Sequence, residues 1–191
     1  MDKFTKIQKQ ENIEQKITKD VLFENDWLKI KEKDNYVYLE ESDNVCIIPF
    51  FIEQNRFFLR QELVPSYKVK DNANFHLTCI SGTIEENEGV EACIKRELME
   101  EAGIALKENY KVIILDSLFK SKTCSSKFIY AILPISEYEY TTVPIKGDGS
   151  TLEKKSKTVA IDVKNINRLQ ISDTITKLLI FELKKYLNIY E

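Results

Sequence analysis

Glu97, Glu100 and Glu101 stand at i, i+3 and i+4 in the run Arg96-Glu97-Leu98-Met99-Glu100-Glu101, with Gly103 close behind. On a helix, at about 100° per residue, the carboxylates share one side. Glu97 and Glu101, one turn apart, repel by roughly a few tenths of a kcal/mol, and Arg96 relieves part of this through Glu100 at its own i+4 position. A divalent cation would relieve far more. The other reading of the same residues is a solvated acidic helix face.

The element that must carry them is a helix over Val90–Ala102, in which Ala92, Leu98, Met99 and Ala102 recur on the side away from the glutamates. Asn87 is the expected N-cap, and Gly103 is the left-handed residue expected to end the helix.

The spacing extends well beyond the glutamates. Gly82, five residues, Glu88, seven residues, Arg96-Glu97, apolar Leu98, one residue, Glu100-Glu101, one residue, Gly103 and apolar Ile104 match the Nudix box at every specified position. The chain therefore resembles the Nudix hydrolase superfamily. The resemblance implies hydrolysis of a nucleoside diphosphate linked to another group, with Mg²⁺ or Mn²⁺ as cofactor. Hard cations with oxygen ligands neutralise a diphosphate and lower the pKa of bound water, which is why carboxylates are needed at this spacing. By the same resemblance Glu97, Glu100 and Glu101 are metal ligands and catalytic residues, and the carbonyl of Ser81 is a further ligand. Gly82 lets the loop turn against the helix, and Arg96 orients the glutamates. Glu88 is either an outer metal ligand or a structural partner of the loop.

Outside the box the chain resembles the ADP-ribose pyrophosphatase branch more faintly. Residues 21–40 are similar to its N-terminal strand region, Phe58-Leu59-Arg60-Gln61 to its hydrophobic-Arg-Gln strand, and residues 151–162 to its catalytic loop. The resemblance implies that Glu153 helps to activate water, although an ordinary loop charge is the alternative, and that Arg60 binds substrate. It also implies a homodimer formed through the N-terminal strands. The chain departs from the branch at Glu62-Leu63, where an aromatic and an arginine are expected, and at residues 78–82, where Glu-Leu-Pro-Ala-Gly is expected. Lys122 stands about where the branch has a proline. With Lys120 and Lys127 it could meet an extra phosphate of the substrate, or these residues form a solvated basic loop. Trp27, Tyr36, Phe57 and Tyr67 could stack on a nucleobase or serve in packing. His76, the single histidine, is read as a structural residue rather than an acid or base.

At 191 residues the chain suits one main domain with extensions: an N-terminal arm and β-hairpin over 1–43, and a hydrolase domain over 44–191. With 43% apolar and 31% charged residues it has the composition of a globular protein. Lacking both a long apolar stretch and a signal-peptide core, it is expected in the cytoplasm, away from membranes. A net charge of −3 argues against a nucleic-acid partner, because tracking phosphates needs a basic face. Cys46, Cys79, Cys93 and Cys124 form no CxxC pair and read as small, mostly buried thiols.

Residues 2–20 read as a polar arm, and 21–30 and 36–40 as a hairpin around the Asp34-Asn35 turn. The apolar run 45–52 and residues 56–61 read as central strands, followed by a polar loop over 67–74 and a short strand over 75–80. Beyond the box, strands are expected over 111–116, over 127–133 as far as Pro134, and over 158–163. A long loop over 137–157 could close over a site. A last helix follows a Ser172 or Asp173 cap and presents Ile175, Leu178, Leu179, Leu183, Tyr186 and Leu187 on one face. The predicted class is α+β, a mixed sheet between helices in an α/β/α sandwich of Nudix type, with a short N-terminal β extension. The expected activity is pyrophosphohydrolysis of ADP-ribose or a related nucleoside diphosphate sugar. The alternatives are hydrolysis of a nucleoside triphosphate or dinucleoside polyphosphate, and nucleotide sensing without turnover.

Overall fold

The structure is a computed structural model that describes residues 20–25, 28–68, 75–145 and 155–189. They fall into two compact units, one within residues 1–41 with Thr123–Ser125, the other Ser42–Lys122 with Ser126–Glu191.

The first unit is an antiparallel sheet of β1 (Val21–Glu24), β2 (Lys29–Lys33) and β3 (Tyr36–Glu40). Asp34 and Asn35 take φ of 53° and 61°, the left-handed pair that a two-residue hairpin requires. The run expected as one strand over 21–30 is broken, because Asn25 turns the chain. Its amide donates to the carbonyl of Leu28 at 2.9 Å, and its Oδ1 accepts from the amide of Leu28 at 2.8 Å. Residues 123–125 bond to Leu39 through the Leu39 amide and carbonyl. Trp27 and the N-terminal arm through residue 19 lie outside the described residues.

The second unit is built on a seven-stranded mixed sheet. Its strands are β4 (Asn44–Phe51), β5 (Arg56–Glu62), β6 (His76–Thr78), β7 (Ile80–Thr83), β9 (Ile113–Phe119), β10 (Lys127–Ile135) and β12 (Lys157–Asp162). The order is β12-β5-β4-β10-β9, with β6 on β5 and β7 on β4. Among the described strands of this sheet, only β4 and β10 pair in parallel. Helix α2 (Val90–Ala102) covers one face and helix α3 (Thr174–Tyr186) the other; α1 (Pro65–Lys68) is a single turn.

Burial on both faces explains the near-continuous apolar run of β4. Successive residues point to opposite faces. Val45 and Ile47, with Ala131, Leu133 and Ile135 of β10, pack with Cys93, Ile94 and Leu98 of α2. Cys46, Ile48 and Phe50, with Tyr130 and Ile132, pack with Ile175, Leu179 and Leu183 of α3. The fold is thus α+β, a mixed sheet flanked by helices, as predicted.

Two prolines sit inside these strands at no cost in ladder bonds. Pro49 falls where the antiparallel neighbour of β4 changes from β7, which pairs through Ile47, to β5, which begins at Phe50. Pro134 does not end β10, contrary to expectation, because its pairing with β9 stops at Ile132 and the parallel ladder with β4 runs on to Ile135. Part of the long predicted loop is also ordered: β11 (Tyr140–Thr142) pairs antiparallel with β8 (Ile104–Leu106). Asp173 caps α3, its Oδ2 accepting from the Thr176 amide at 2.8 Å.

Candidate active site

Strand β7 runs along the N-terminal half of β4 and hands the chain, through residues 84–89, to α2. The helix starts after Gly89 without a side-chain cap. Asn87, the expected cap, instead takes a φ of 64° within the turn closed by the Glu88 amide on the Glu85 carbonyl. Gly103 ends the helix with a φ of 65°, as expected.

The buried stripe of α2 is Cys93, Ile94, Glu97 and Leu98, while Met99 is 44% exposed and Ala92 is exposed. This corrects the face read from the apolar residues alone. Glu97 and Glu101 lie toward the sheet, where β7 and β5 supply partners for them. The Glu97 carboxylate lies against Gly82, where an added β-carbon would be 1.7 Å from Oε1. The Ser81 amide donates to Glu101 Oε2 at 3.2 Å. Ser81, Gly82, Glu97 and Glu101 are thereby brought to one place.

Two arginines organise the carboxylates. Arg96 grips Glu88 with a fork, Nε to Oε1 and Nη2 to Oε2, both at 2.9 Å. It also donates from Nη2 to the Thr83 carbonyl at 2.9 Å, and from Nη1 to Glu97 at 2.5 Å and Glu100 at 3.4 Å. Arg60 is 2% exposed on β5. Its Nη1 donates to the main-chain carbonyl of Glu101 at 2.9 Å, and its Nε lies 3.6 Å from the Glu101 carboxylate and 3.3 Å from that of Glu62. Arg60 was expected to bind substrate; its burial and these partners give it the place of a support for Glu101.

Burial disfavours a charged carboxylate. It pushes Glu101 up to about 8 against the counter-effect of Arg60, and Glu97 up to about 7 against that of Arg96. Glu88 moves the other way, down to about 2, because its hydrogen bonds to Arg96 outweigh desolvation.

Among the described residues, no three acidic, histidine or cysteine side chains are gathered closely enough to hold a metal as they stand. The donors nevertheless suit a hard divalent cation in kind. They are oxygens, and buried Glu97 and half-buried Glu101 pay a desolvation cost that their arginine partners do not offset, which a cation would reduce. Glu97 and Glu100 would exchange Arg96 for the ion; Glu88, held in the arginine fork, is placed as a structural partner of the loop.

Lys122 is exposed in the turn between β9 and β10, and Lys120 and Lys127 lie over the rings of Phe128 and Phe119. Glu153 lies outside the described residues. His76 is buried on β6, its Nδ1 3.3 Å from Ser172 Oγ and its ring edge-to-face with Tyr67. Phe57 is core, and Tyr67 bonds Asp173 at 2.6 Å. Cys46, Cys79 and Cys93 are buried free thiols, and Cys124 is half-buried.

Thr158 is a site residue that single positions did not reveal. Its hydroxyl donates to the Glu101 carbonyl at 2.6 Å, beside Arg60, its partner in the β12-β5 ladder. Two residues on, the Val143 amide donates to the Gly103 carbonyl at 2.9 Å, and a β-carbon at Gly103 would meet the Val143 carbonyl oxygen at 2.5 Å. The C-terminal end of α2 and its Gly103 cap are therefore tethered twice, by Thr158 and by Val143.

The family model described as NUDIX domain matches residues 41–157. The solved structure titled as the crystal structure of ADP compounds hydrolase aligns with a TM-score of 0.65, covering 88% of this chain and 91% of that one at 15% identity, a likeness of fold. No curated protein sequence matches.

Proposed function

This chain belongs to the NUDIX family, and we propose that it cleaves the diphosphate of ADP-ribose or a related nucleoside diphosphate sugar, giving a nucleoside monophosphate and a sugar phosphate. The chain is a Nudix hydrolase, a family that generally uses divalent metal ions. The observation that carries the reading is the convergence of Glu97 on Gly82 and of Glu101 on the Ser81 amide, with two arginines behind them.

In this proposal Glu97, Glu100 and Glu101, with the Ser81 carbonyl, hold Mg²⁺ or Mn²⁺. When bound, such an ion neutralises the diphosphate and lowers the pKa of bound water. Before the ion binds, Arg96 keeps Glu97 and Glu100 aimed by bonding both, and it stays anchored to the Thr83 carbonyl and to Glu88 when they turn to the ion. Arg60 and Thr158 fix the Glu101 backbone. Glu101, held protonated to a higher pH by desolvation, would give up its proton on joining the ion as a ligand. Glu153 is proposed to help activate the attacking water and Lys122 to contact the substrate's phosphate or sugar. A homodimer through the N-terminal strands belongs to the same proposal.

The structure titled as an ADP compounds hydrolase lends support to the substrate class through its fold. Among the described residues, no helix is long and apolar enough to cross a membrane. The deciding experiment incubates the purified protein with Mg²⁺ or Mn²⁺ and ADP-ribose, nucleotide sugars, dinucleoside polyphosphates and triphosphates. Monophosphate release from ADP-ribose or a nucleotide sugar is expected. Turnover confined to triphosphates or dinucleotides would replace the substrate class, and silence across the panel would sink the hydrolase reading.

A further inference from the structure

Arg60 holds its charge at 2% exposure, and a guanidinium taken out of water is stable only while acidic groups face it. Two carboxylates face its Nε. That nitrogen lies 3.3 Å from Glu62 Oε1 and 3.6 Å from Glu101 Oε1, yet it has a single hydrogen to give. The two acids therefore compete for one donor. Nη1 is committed separately, to the main-chain carbonyl of Glu101 at 2.9 Å and toward Thr158 Oγ1 at 3.4 Å.

Residues two apart on a strand point to one face, so β5 sets Glu62 beside Arg60 on the side that meets Glu101. The charge of Glu62 is near enough to oppose ionisation of Glu101. Of the two side chains Glu62 is the more open, 24% exposed against 13%. Position 62 is also one at which the chain departs from the ADP-ribose pyrophosphatase branch, so this pairing belongs to the present sequence.

In the function proposed above, on which this inference rests, the Glu101 carboxylate turns to a divalent ion. Arg60 then loses one of the acids that compensate it. Arg96 meets the same situation when Glu97 and Glu100 turn away, and there Glu88 stays in the arginine fork. Glu62 holds the corresponding place beside Arg60.

We propose that Glu62 is a positioning residue of the hydrolytic site: it keeps the Nε hydrogen of Arg60 when Glu101 leaves for the ion, freeing the Glu101 carboxylate while Nη1 still ties down the Glu101 backbone. Glu62 acts through Arg60 and not as a ligand. The buried guanidinium stays where it is, and only the sharing of its hydrogen changes.

The test measures Mn²⁺ affinity of the full chain from the electron paramagnetic resonance signal of free Mn²⁺, a readout independent of turnover. Glu62→Gln should weaken binding about tenfold, because Arg60 is left to hold Glu101 and a nearby negative charge is withdrawn. Arg60→Met replaces the guanidinium by an unbranched apolar chain. In that background Glu62→Gln should weaken binding by a factor at least threefold smaller than in the parent, since the competition is gone. Glu62→Asp keeps the charge one methylene short of Arg60; it should weaken binding at least threefold, and it serves if Arg60→Met loses its native circular dichroism spectrum. Parental affinity in Glu62→Gln or in Glu62→Asp, or an equal loss from Glu62→Gln in both backgrounds, would overturn this role and leave the hydrolase reading standing. A parent chain that takes up no Mn²⁺ would overturn the metal-dependent reading and this role with it.

Discussion

The α-carbon of Gly82 and the carboxylate of Glu97 occupy adjoining space: a β-carbon at position 82 would lie 1.7 Å from Glu97 Oε1 and 2.5 Å from its Cγ. The box glycine is thus required by a side chain fifteen residues later, which can keep its place only while position 82 has none. Gly82→Ala should displace Glu97 rather than unfold the sheet, because a flexible side chain yields before β7 does. The expected result is a loss of roughly a hundredfold in kcat/KM, the scale set by misplacing a reacting group by about 1 Å. Circular dichroism should retain the native spectrum. Wild-type turnover would refute the placement of Glu97.

Glu101→Gln separates stability from function. The carboxylate is half-buried and desolvation disfavours its ionisation even beside Arg60, so neutralising it removes that cost while keeping shape and the bond from the Ser81 amide. In chelator the variant should melt no lower than the parent. Turnover should fall by on the order of a hundredfold or more, as expected for a lost metal ligand. Unchanged activity would contradict the assignment.

The pH dependence has a definite sign. Glu97 and Glu101 bind protons more tightly folded, at about 7 and about 8, than at their ordinary value of 4.5. Their contribution to stability is full below about 4.5 and is lost as pH rises through 7 to 8. The chelated protein should therefore melt progressively lower between pH 5 and pH 9. Mn²⁺ affinity should rise over the same window, since the ion takes the deprotonated carboxylates. Glu88 acts oppositely and lower: its stabilisation is lost as pH falls from the ordinary range through about 2. Thermal melts with and without Mn²⁺ measure these trends, and a melting temperature in chelator that rises across pH 5 to 9 would reject them.

Arg60→Lys distinguishes support from substrate contact. Lysine keeps the charge but cannot reach both the Glu101 carbonyl and its carboxylate as a planar fork does. A supporting role lowers kcat by about 10- to 100-fold and leaves KM within about threefold. A rise in KM at constant kcat would restore Arg60 to the substrate.

Glu153→Gln bears on the proposed loop residue. If Glu153 assists proton removal, kcat should drop by roughly 100-fold or more and its pH profile should lose one limb. Unaltered kcat would make Glu153 an ordinary surface charge.

Much of the site's frame was legible. The helix over Val90–Ala102 and its Gly103 end follow from periodicity and left-handed geometry, and both are observed. The helix face was not legible, because counting apolar residues favours Met99 and Ala92. The arginines at 60 and 96 make it possible instead to turn Glu97 and Glu101 inward. Asn87 shows a related limit: a good capping residue is equally good at positive φ, and here the turn takes it. Arg60 and Thr158 were readable in principle from strand parity. Phe57 and Leu59 belong to the α3-side core with Val159 and Ile161, which sends positions 60 and 158 to the α2 side. Their meeting at Glu101 also needs the β5-β12 register, which no local pattern encodes.

The bonds from Val143 and Thr158 fall on Gly103 and Glu101, two residues apart at the end of α2, although their donors are fifteen positions apart in sequence. Joining two such anchor points by a longer loop costs only about 0.6 kcal/mol for each doubling of its length. A change of chain length between the two donors should therefore leave the end of α2 tethered at both points.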